Sequence, residues 1–390
     1  MKEKKKIGII TFWESNDNYG QQLQCWALQH CLRARGYDAF LIRQYAWPNQ
    51  WTYKERGFKQ WIRDIIIKSL YATNIIYKSA IYNRFALGPN REAGRRQFPK
   101  FRKKNLVMTN IYDAPEKLVE NPPQADIYIT GSDQVWNYVL EDGPQKNYFL
   151  QFVNKDTKCI AYAPSIGRMT LPEDVKQKYK SYLKGFSAIS VREKSAVALI
   201  AELGYKVENV LDPTMLLNAE DYRFILNNTK GKSSVFIYSM NYSSVDDIPY
   251  GDIKRYATKR NLPIVVTPGS GFVPARELFE GVEYSYATIP QWIQHIAHAE
   301  LVVTASFHGI VFAILFHRPF LFTPIVGERA DRNVRVLDLL EDLNLDQRIW
   351  RGDVSFEKIE LDEINWQQVD SRLVDLREKS LAYLLGAIEA

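Results

Sequence analysis

The sequence is poor in cysteine, with three among 390 residues, and the three are not paired. Cys25 and Cys31 stand six positions apart in a predicted helix and Cys159 is remote, so neither a Cys-x-x-Cys zinc site nor a disulfide framework is expected. The sequence therefore predicts no metal, and the few thiols fit the reducing cytoplasm.

Long apolar runs are also missing. The first apolar stretch, Ile7–Trp13, is too short and wrongly flanked for a signal peptide. The longest uncharged stretch, Leu301–His317, is polar at its middle, whereas a membrane span needs about 20 mostly apolar residues. We therefore expect a cytoplasmic protein in which Leu301–His317 forms a strand, a turn and a buried helix.

A dinucleotide-binding fingerprint is absent as well. The loop after the first predicted strand holds a single glycine, Gly20, instead of Gly-x-Gly-x-x-Gly. A bound dinucleotide is therefore not supported, and we expect no cofactor.

Acidic residues are scarce in one segment. Residues 54–104 hold fourteen Lys/Arg against three Asp/Glu, a charge of +11, so the rest of the chain carries −5 of the net +6. Within this segment, Trp61–Tyr71 mixes apolar, aromatic and basic residues, as does a helix that lies on an anionic membrane. A solvent-exposed helical insertion that braces or lines a ligand-binding cleft explains the charge equally well. No nucleic-acid partner is expected, because no recognised binding module accompanies the charge.

What is present is the composition of a folded protein, with 46% hydrophobic and 25% charged residues. Apolar strands alternate with helices, which is typical of an α/β fold with parallel sheets. We predict two Rossmann-like domains, residues 1–220 and 221–360, facing each other across a cleft that binds ligand at the C-terminal ends of the strands. A basic helical insertion is predicted at about 48–104, and a helix within 361–390 is expected to pack back on the first domain.

The elements of this prediction come from apolar runs and turn residues. The predicted strands are 7–12, 39–42, 125–130, 158–163, 188–191, 207–211, 235–239, 264–266, 301–304 and 320–323. The main predicted helices are 20–35, 192–203, 291–299, 311–316 and 362–388.

The sharpest candidate site is the turn Ser306-Phe307-His308-Gly309, which joins a buried strand to an apolar helix. A helix N-terminus offers unpaired N–H groups to an anion, Gly309 lets the anion approach the backbone, and His308 can donate a proton. A structural interpretation, in which Ser306 caps the helix and His308 is a satisfied core residue, explains the isolated motif equally well.

Two further polar loops follow predicted strands. The Asn18-Tyr19-Gly20 loop can hydrogen-bond a sugar, and in Gly131–Trp136 the side chains of Asp133 and Gln134 suit hydroxyl groups while Trp136 suits the face of a sugar ring. The structural alternatives are helix capping in both loops, with Trp136 in the core.

Arginines are the remaining candidates. Arg192 ends a predicted strand, where its planar guanidinium can face the cleft and bind carboxylate or phosphate, the alternative being a surface pair with Glu193. Arg332 and Arg335 are further candidates for anion contacts. The segment Asp212-Pro213-Thr214 is interpreted as a structural turn.

These segments together resemble the polysaccharide pyruvyl transferase family over nearly the whole chain. The resemblance is carried, in order, by Asn18–Gly20, Gly131–Asn137, Ala161–Gly167, Ile189–Glu193, Leu211–Thr214 and Ser306–Gly309. It implies two Rossmann-like halves similar to those of GT-B glycosyltransferases. It also implies transfer of the pyruvyl group of phosphoenolpyruvate to two hydroxyls of a sugar, leaving a cyclic ketal and phosphate.

The resemblance implies that Arg192 binds phosphoenolpyruvate and that the Ser306–Gly309 turn binds its phosphate, with His308 as general acid. Many relatives have Arg-Leu-His at this turn; because Ser306 and Phe307 replace Arg-Leu here, we expect Arg335 to supply the missing charge. Asp133 is the candidate base or acceptor anchor. The candidate acceptor-binding residues are Asn18, Tyr19, Gly20, Gln134 and Trp136.

The implied partners are phosphoenolpyruvate and a sugar of a bacterial capsule, exopolysaccharide or cell-wall glycan, or its lipid-linked precursor. A lipid-linked acceptor would suit peripheral contact of residues 54–104 with the inner face of the cell membrane. Two other functions stay open: a GT-B glycosyltransferase that uses a nucleotide sugar, and a non-catalytic sugar- or anion-binding protein. The acceptor sugar and the oligomeric state are not predicted.

Overall fold

The computed structural model describes residues 4–44, 95–139, 143–223, 225–226, 231–242, 244–269, 277–352, 356 and 363–390. The segment Trp61–Tyr71 and most of the basic insertion lie outside these residues, so its expected membrane contact stays a prediction. No helix within the described ranges is long and apolar enough to cross a membrane.

The first half of the chain forms a parallel sheet of seven strands. These are β1 (Lys6–Ile10), β2 (Asp38–Gln44), β3 (Met108–Tyr112), β4 (Ile127–Thr130), β7 (Lys158–Ala161), β8 (Ala188–Val191) and β9 (Glu208–Asn209); β5 (Tyr138–Val139) and β6 (Gly143–Pro144) form a separate hairpin. The order β3-β2-β1-β4-β7-β8-β9 is that of a Rossmann sheet with an added strand.

The second half repeats this plan on a smaller scale. Its strands are β10 (Ser234–Ser239), β11 (Ile264–Pro268), β12 (Glu283–Tyr284), β13 (Ala299–Thr304) and β14 (Phe320–Phe322). They are parallel in the order β12-β11-β10-β13-β14. Every residue of β10 is buried, as expected for a central strand covered by helices on both faces.

Helices connect the strands. They are α1 (Tyr19–Ala34), α2 (Phe98–Asn105), α3 (Pro115–Glu120), α4 (Glu173–Tyr182), α5 (Lys194–Glu202), α6 (Ala219–Arg223), α7 (Tyr250–Lys259), α8 (Ile289–Ala297), α9 (Phe307–Leu315), α10 (Val334–Leu343) and α11 (Trp366–Glu389). Capping side chains fix where several of these helices begin. In α8, Thr288 and Gln291 form a capping box at the first turn.

The predicted fold class, α/β with two Rossmann-like sheets, is confirmed, and each predicted strand is present. Two strands in the described part of the sheets were not predicted, β3 and β12, and both are edge strands. Their side chains are exposed or half-buried, so they lack the apolar run that marks a central strand. Helix α9 begins at Phe307, four residues before the predicted start, because Ser306 caps it.

Each sheet has one point where the chain reverses its direction of travel across the sheet. In the first sheet it lies between β1 and β4, and in the second between β10 and β13. Connections leave such neighbouring strands toward opposite faces, which opens a crevice at their C-terminal ends. The predicted sugar-binding loops follow β1 and β4, and the His308 turn follows β13.

The two halves pack together through an aromatic core. Tyr19, the first residue of α1, stacks on Trp292 of the second half at 5.1 Å between ring centroids, and its hydroxyl donates to the Ala287 carbonyl at 2.6 Å. Arg96, fully buried at the C-terminal end of the basic insertion, donates to the Tyr19 hydroxyl and to the Pro268 carbonyl. The described end of the insertion therefore braces both halves.

Helix α11 contacts both halves as well. Near its start, Asp370 accepts a hydrogen bond from His317 of the second half at 2.9 Å between Oδ1 and Nε2. Two turns before its end, the Tyr383 hydroxyl donates to the Ala161 carbonyl at the end of β7. The helix thus runs from one half to the other.

Candidate active site

A cavity of about 260 Å³ lies where the C-terminal ends of the two sheets meet. Its walls come from the loops after β1, β4, β10, β13 and β14 and from the start of α10. They are formed by Phe12, Asn18, Gln21, Asp133, Gln134, Met240, Asn241, Ala305, Ser306, Phe307, His308, Ile325, Arg332 and Arg335. Eight of the residues proposed from sequence for donor, anion, acceptor or acid–base roles therefore share one cavity: Asn18, Asp133, Gln134, Ser306, Phe307, His308, Arg332 and Arg335.

A larger space of about 820 Å³ opens at the opposite, amino-terminal ends of β1 and β4. Its basic residues, Lys4–Lys6 and Lys158, are exposed or half-buried. None of the residues proposed from sequence lines it. We therefore place the candidate site in the smaller cavity.

His308 is held at the first turn of α9. Ser306 caps this helix, its Oγ accepting the Gly309 N–H at 3.3 Å, so the capping interpretation of Ser306 is confirmed. A Cβ on Gly309 would come within 2.7 Å of the Thr304 side chain. Gly309 is therefore required by packing against β13, and its N–H contributes to the cap; that it also lets an anion approach the backbone stays a prediction.

The imidazole of His308 lies against the start of α1 in the other half. A Cβ built on Gly20 would overlap Nδ1 and Cγ of His308. The absence of a side chain at Gly20 therefore leaves the space that His308 occupies, and the contact of Gly20 with an acceptor sugar stays a prediction. Asn18 caps α1, accepting the Gln21 N–H at 3.1 Å, and still lines the cavity.

A buried carboxylate joins the residues around His308. Oδ2 of Asp212, which is fully buried, accepts from Arg192 Nη1 at 2.7 Å and from Ser132 Oγ at 2.6 Å. The same oxygen lies 3.6 Å from His308 Nε2. Its other oxygen accepts from the N–H and the hydroxyl of Thr214, so the predicted turn is present. Besides forming this turn, Asp212 binds Arg192 and Ser132 through Oδ2.

The charge of Asp212 is strongly stabilised. Burial by itself raises the pKa of this carboxyl. The charge of His308, followed by the charge of Arg192 and the hydrogen bond from the Ser132 hydroxyl, outweighs burial and holds the pKa of Asp212 well below its usual range. Asp212 is therefore ionised at neutral pH.

Arg192 is buried one layer behind the cavity. Its guanidinium carbon lies 4.6 Å from the centroid of the Phe307 ring, a cation–π contact, and Phe307 separates it from the cavity. Within the described residues, Nε and Nη2 of Arg192 have no hydrogen-bond partner. Glu193 does not form the alternative surface pair, because it is fully buried and accepts from the Ile166 and Gly167 N–H groups at 2.8 Å.

Arg335 is the cation that lines the cavity from α10. With the side-chain amide oxygen of Gln134 turned toward it, Gln134 accepts from Nη1 and Nη2 at 3.0 and 2.8 Å. Burial, together with the nearby charge of Arg192, lowers the pKa of Arg335 to about 10. Two guanidinium groups close enough to repel each other favour an anion beside them.

Asp133 is held in an unusual backbone conformation. Its φ of 78° lies in the left-handed region, which a non-glycine residue adopts at a cost. Its Oδ1 accepts the Gln134 N–H at 2.8 Å, and its carbonyl accepts the Ser165 N–H at 2.8 Å. These contacts fix the carboxylate at the cavity wall.

Two aromatic residues proposed for sugar binding are corrected. Trp136 is fully buried, stacks on Phe149 at 4.9 Å and donates its Nε1–H to the Tyr148 carbonyl at 3.0 Å. Tyr19 is fully buried in the core between the halves. Neither presents a face to the cavity; the alternative of a core Trp136 is the one observed.

Sequence reasoning missed the roles of Asp212 and Glu193. An Asp-Pro pair after a strand is read as a turn, and the sequence carries no sign that Arg192, twenty residues earlier, would meet the same carboxylate. For Glu193, the signal was its place at the C-terminal end of β8, the same place that identified Arg192.

Comparison with known proteins decides the family. A sequence model described as Polysaccharide pyruvyl transferase matches residues 18–324, more than three quarters of the chain. The chain belongs to the polysaccharide pyruvyl transferase family. The match begins at the cap of α1 and ends just after β14, and it includes all the cavity-lining residues except Phe12, Ile325, Arg332 and Arg335.

Solved structures of other activities are similar over nearly the full chain but at low identity. UDP-GlcNAc 2-epimerase of Methanocaldococcus jannaschii is 12% identical, covers 96% of this chain and 99% of its own, and has a TM-score of 0.46. UGT89C1 of Arabidopsis thaliana, complexed with UDP, is 12% identical, with coverages of 97% and 95% and a TM-score of 0.48. The search of curated proteins gave no significant match. The activity of this family member is therefore argued from its cavity.

Proposed function

We propose that this family member transfers the pyruvyl group of phosphoenolpyruvate to two hydroxyls of a sugar in a bacterial surface polysaccharide or its lipid-linked precursor. The observation that carries the proposal is the grouping of His308, Arg335 and Arg192 at the meeting point of two sheets. Phosphoenolpyruvate carries a carboxylate and a phosphate beside a carbon–carbon double bond, and it therefore needs cations together with a proton donor.

Arg335 supports the donor-binding part of the proposal. It lines the cavity on the same side as His308 and stands in for the arginine that many relatives have in place of Ser306. Its planar guanidinium suits the oxygens of a phosphate or carboxylate. In this proposal Arg335 contacts the donor directly, while Arg192 adds positive charge from behind the Phe307 ring.

His308 supports the chemical part. Transfer of a proton from its imidazolium to the methylene carbon of the donor makes C2 electrophilic, and one sugar hydroxyl adds there. The C2–O bond to phosphate then breaks, and phosphate leaves with the bonding electron pair. The second hydroxyl adds to C2 and closes the ketal. Of the two hydroxyl protons, one restores the imidazolium and the other leaves with phosphate.

The loops from the first sheet provide the acceptor side. Asp133 and Asn18 line the cavity from the first half, and in this proposal Asp133 is the carboxylate that accepts a hydroxyl proton or holds the sugar. Met240 and Asn241, from the loop after β10, complete the cavity and were not predicted. We propose that these four side chains contact the acceptor.

The decisive experiment incubates the protein with phosphoenolpyruvate and a panel of glycans. Mass spectrometry should find a product heavier by pyruvate minus water, with one phosphate released for each product. Release of a nucleoside diphosphate from a nucleotide sugar would instead establish the glycosyltransferase alternative. Ligand binding without turnover of any glycan would establish a binding protein.

The membrane part of the proposal has its own test. Anionic liposomes should retain the protein, and reversing the charge of basic residues in 54–94 should release it. Unchanged retention after this reversal would reject a role of the insertion in membrane contact.

A further inference from the structure

The pair Asp212–His308 crosses between the two halves. Asp212 follows β9 of the first sheet, and His308 follows β13 of the second, yet Asp212 Oδ2 lies 3.6 Å from His308 Nε2. The carboxylate is fully buried, and the imidazole is 7% exposed. A buried carboxylate beside an imidazole stabilises the charged, proton-donating form.

The geometry of Asp212 leaves it little freedom to move. Ser132 and Arg192 bind the oxygen that faces His308, and Thr214 binds the other oxygen twice. Four hydrogen bonds therefore fix the position of the carboxylate. It acts as a fixed support behind the imidazole and does not itself line the cavity.

We propose that Asp212 is the positioning residue of this site, holding the His308 imidazole in place and in its charged form while it also fixes Arg192. The inference rests on the proposed function only for its kinetic consequences. Asp212 acts through His308, because nothing places it against the donor. Replacing Asp212 should therefore change the protonation state of the site more than the shape of the cavity.

The charged groups around His308 define the pH window of a test. Asp212 faces it from the β9 loop and Arg192 lies behind Phe307; Asp133, Arg332 and Arg335 line the same cavity. Histidine is the only one of these residue types whose ordinary charge change falls between about pH 5 and 8. A change of anion binding within that window therefore reports the imidazole.

Asp212→Asn is the direct test, because it keeps the size of the side chain and removes the charge. We expect kcat to fall on the order of 10–100-fold, and the basic limb of the pH–activity profile to move to lower pH. In the His308→Ala background the same substitution should lower activity by a smaller factor than in wild type, because the part of its effect that acts through His308 is lost and only the part through Arg192 remains.

Asp338→Asn is the matched control. Asp338 also joins the two halves through a carboxylate, which accepts the Lys194 N–H at 2.8 Å, but it lies outside the cavity. This variant should keep the wild-type kcat and pH profile. Melting temperatures of both variants would show whether they are folded, and Ser132→Ala, which removes one hydrogen bond to Asp212 Oδ2, provides a milder second variant expected to change the profile in the same direction.

Binding of inorganic sulfate, measured by calorimetry from about pH 5 to 9, separates this inference from the proposed function. The charge of sulfate is constant in this window, so its affinity should fall as the imidazole loses its proton, at a lower pH in Asp212→Asn than in wild type. Sulfate affinity that falls at the same pH in both proteins would overturn the inference, as would an unchanged pH–activity profile. Failure of all glycans to react, with the shifted sulfate curve retained, would reject the proposed function alone.

Discussion

The two sheets share a strand order but bring different chemistry to the cavity. The first sheet contributes Asp212, Arg192 and Asp133, which are immobilised by buried hydrogen bonds. The second contributes a helix N-terminus with His308 and the guanidinium of Arg335. Because His308, the proposed proton donor, and the Asp212 carboxylate stand on opposite halves, neither half contains the complete proposed site. The predictions below ask how far the halves depend on each other.

The largest effect is expected at His308 of the second half, the proposed proton donor. His308→Ala should lower kcat by about 10²–10⁴-fold, the range for loss of an acid–base group, measured as phosphate release from phosphoenolpyruvate with a competent acceptor. His317→Ala is the matched control, because this half-exposed histidine pairs with Asp370 away from the cavity. Near-normal turnover of His308→Ala would rule out the acid–base role.

The next effect concerns Arg192, the cation that pairs with Asp212 in the first half. Arg192→Ala leaves the buried Asp212 carboxylate without its cation, which costs about 3 kcal/mol in the free energy of unfolding. The pKa of Asp212 is lower in the folded protein than in the unfolded chain, so this stabilisation is present above about pH 4 and is lost as the pH falls further. Urea unfolding should show the gap to wild type narrowing below about pH 4; a gap independent of pH would contradict the charge pairing.

A smaller effect is expected where the halves meet. Gly20→Ala places a methyl group where His308 lies, so it should push the imidazole away from Asp212 and cost about 1–3 kcal/mol in unfolding free energy. Activity should fall by more than the loss of folded protein accounts for. Gly386→Ala, a helical position with open space around it, should instead be neutral or slightly stabilising. Equal behaviour of the two variants would show that Gly20 has no role in placing His308.

The smallest effect is expected at the exposed rim of the same interface. Lys194 of the first half pairs with Glu341 and Asp342 of the second at 2.7 Å. Such solvent-exposed pairs contribute little, so Lys194→Met should cost less than about 1 kcal/mol and leave kcat unchanged. A loss of activity in Lys194→Met would mean that these exposed ion pairs, and not the buried contacts, hold the two halves in their relative position.

The sequence predicted the sheets well because their central strands are continuous apolar runs. The edge strands β3 and β12 escaped because half-exposed strands carry no such run. Among site residues, position in the chain found His308, Asp133 and Arg335, since the loops after β4 and β13 and the start of α10 meet at the sheet ends. The direction of a side chain was not predictable in this way. Trp136 and Tyr19 occupy the expected loops but point into cores.

Contacts between distant loops explain what was missed. Asp212 and Ser132 are eighty residues apart, and their hydrogen bond follows only from the adjacency of the loops after β4 and β9 in three dimensions. The reason for Gly20 lies in the other half of the chain altogether. Local patterns identify which residues are polar at a sheet end; only the packed structure shows which of them share one carboxylate.

Helix α11 brings the C-terminal end of the chain back to the first half. It leaves the second half at the His317–Asp370 contact and returns to the first, where Leu384 and Ile388 are fully buried. If the chain were cut between residues 226 and 231, the N-terminal fragment would therefore expose the apolar groove in which α11 packs, and the C-terminal fragment would carry α11. Co-expression of the two fragments should reconstitute the fold, whereas the N-terminal fragment by itself should aggregate.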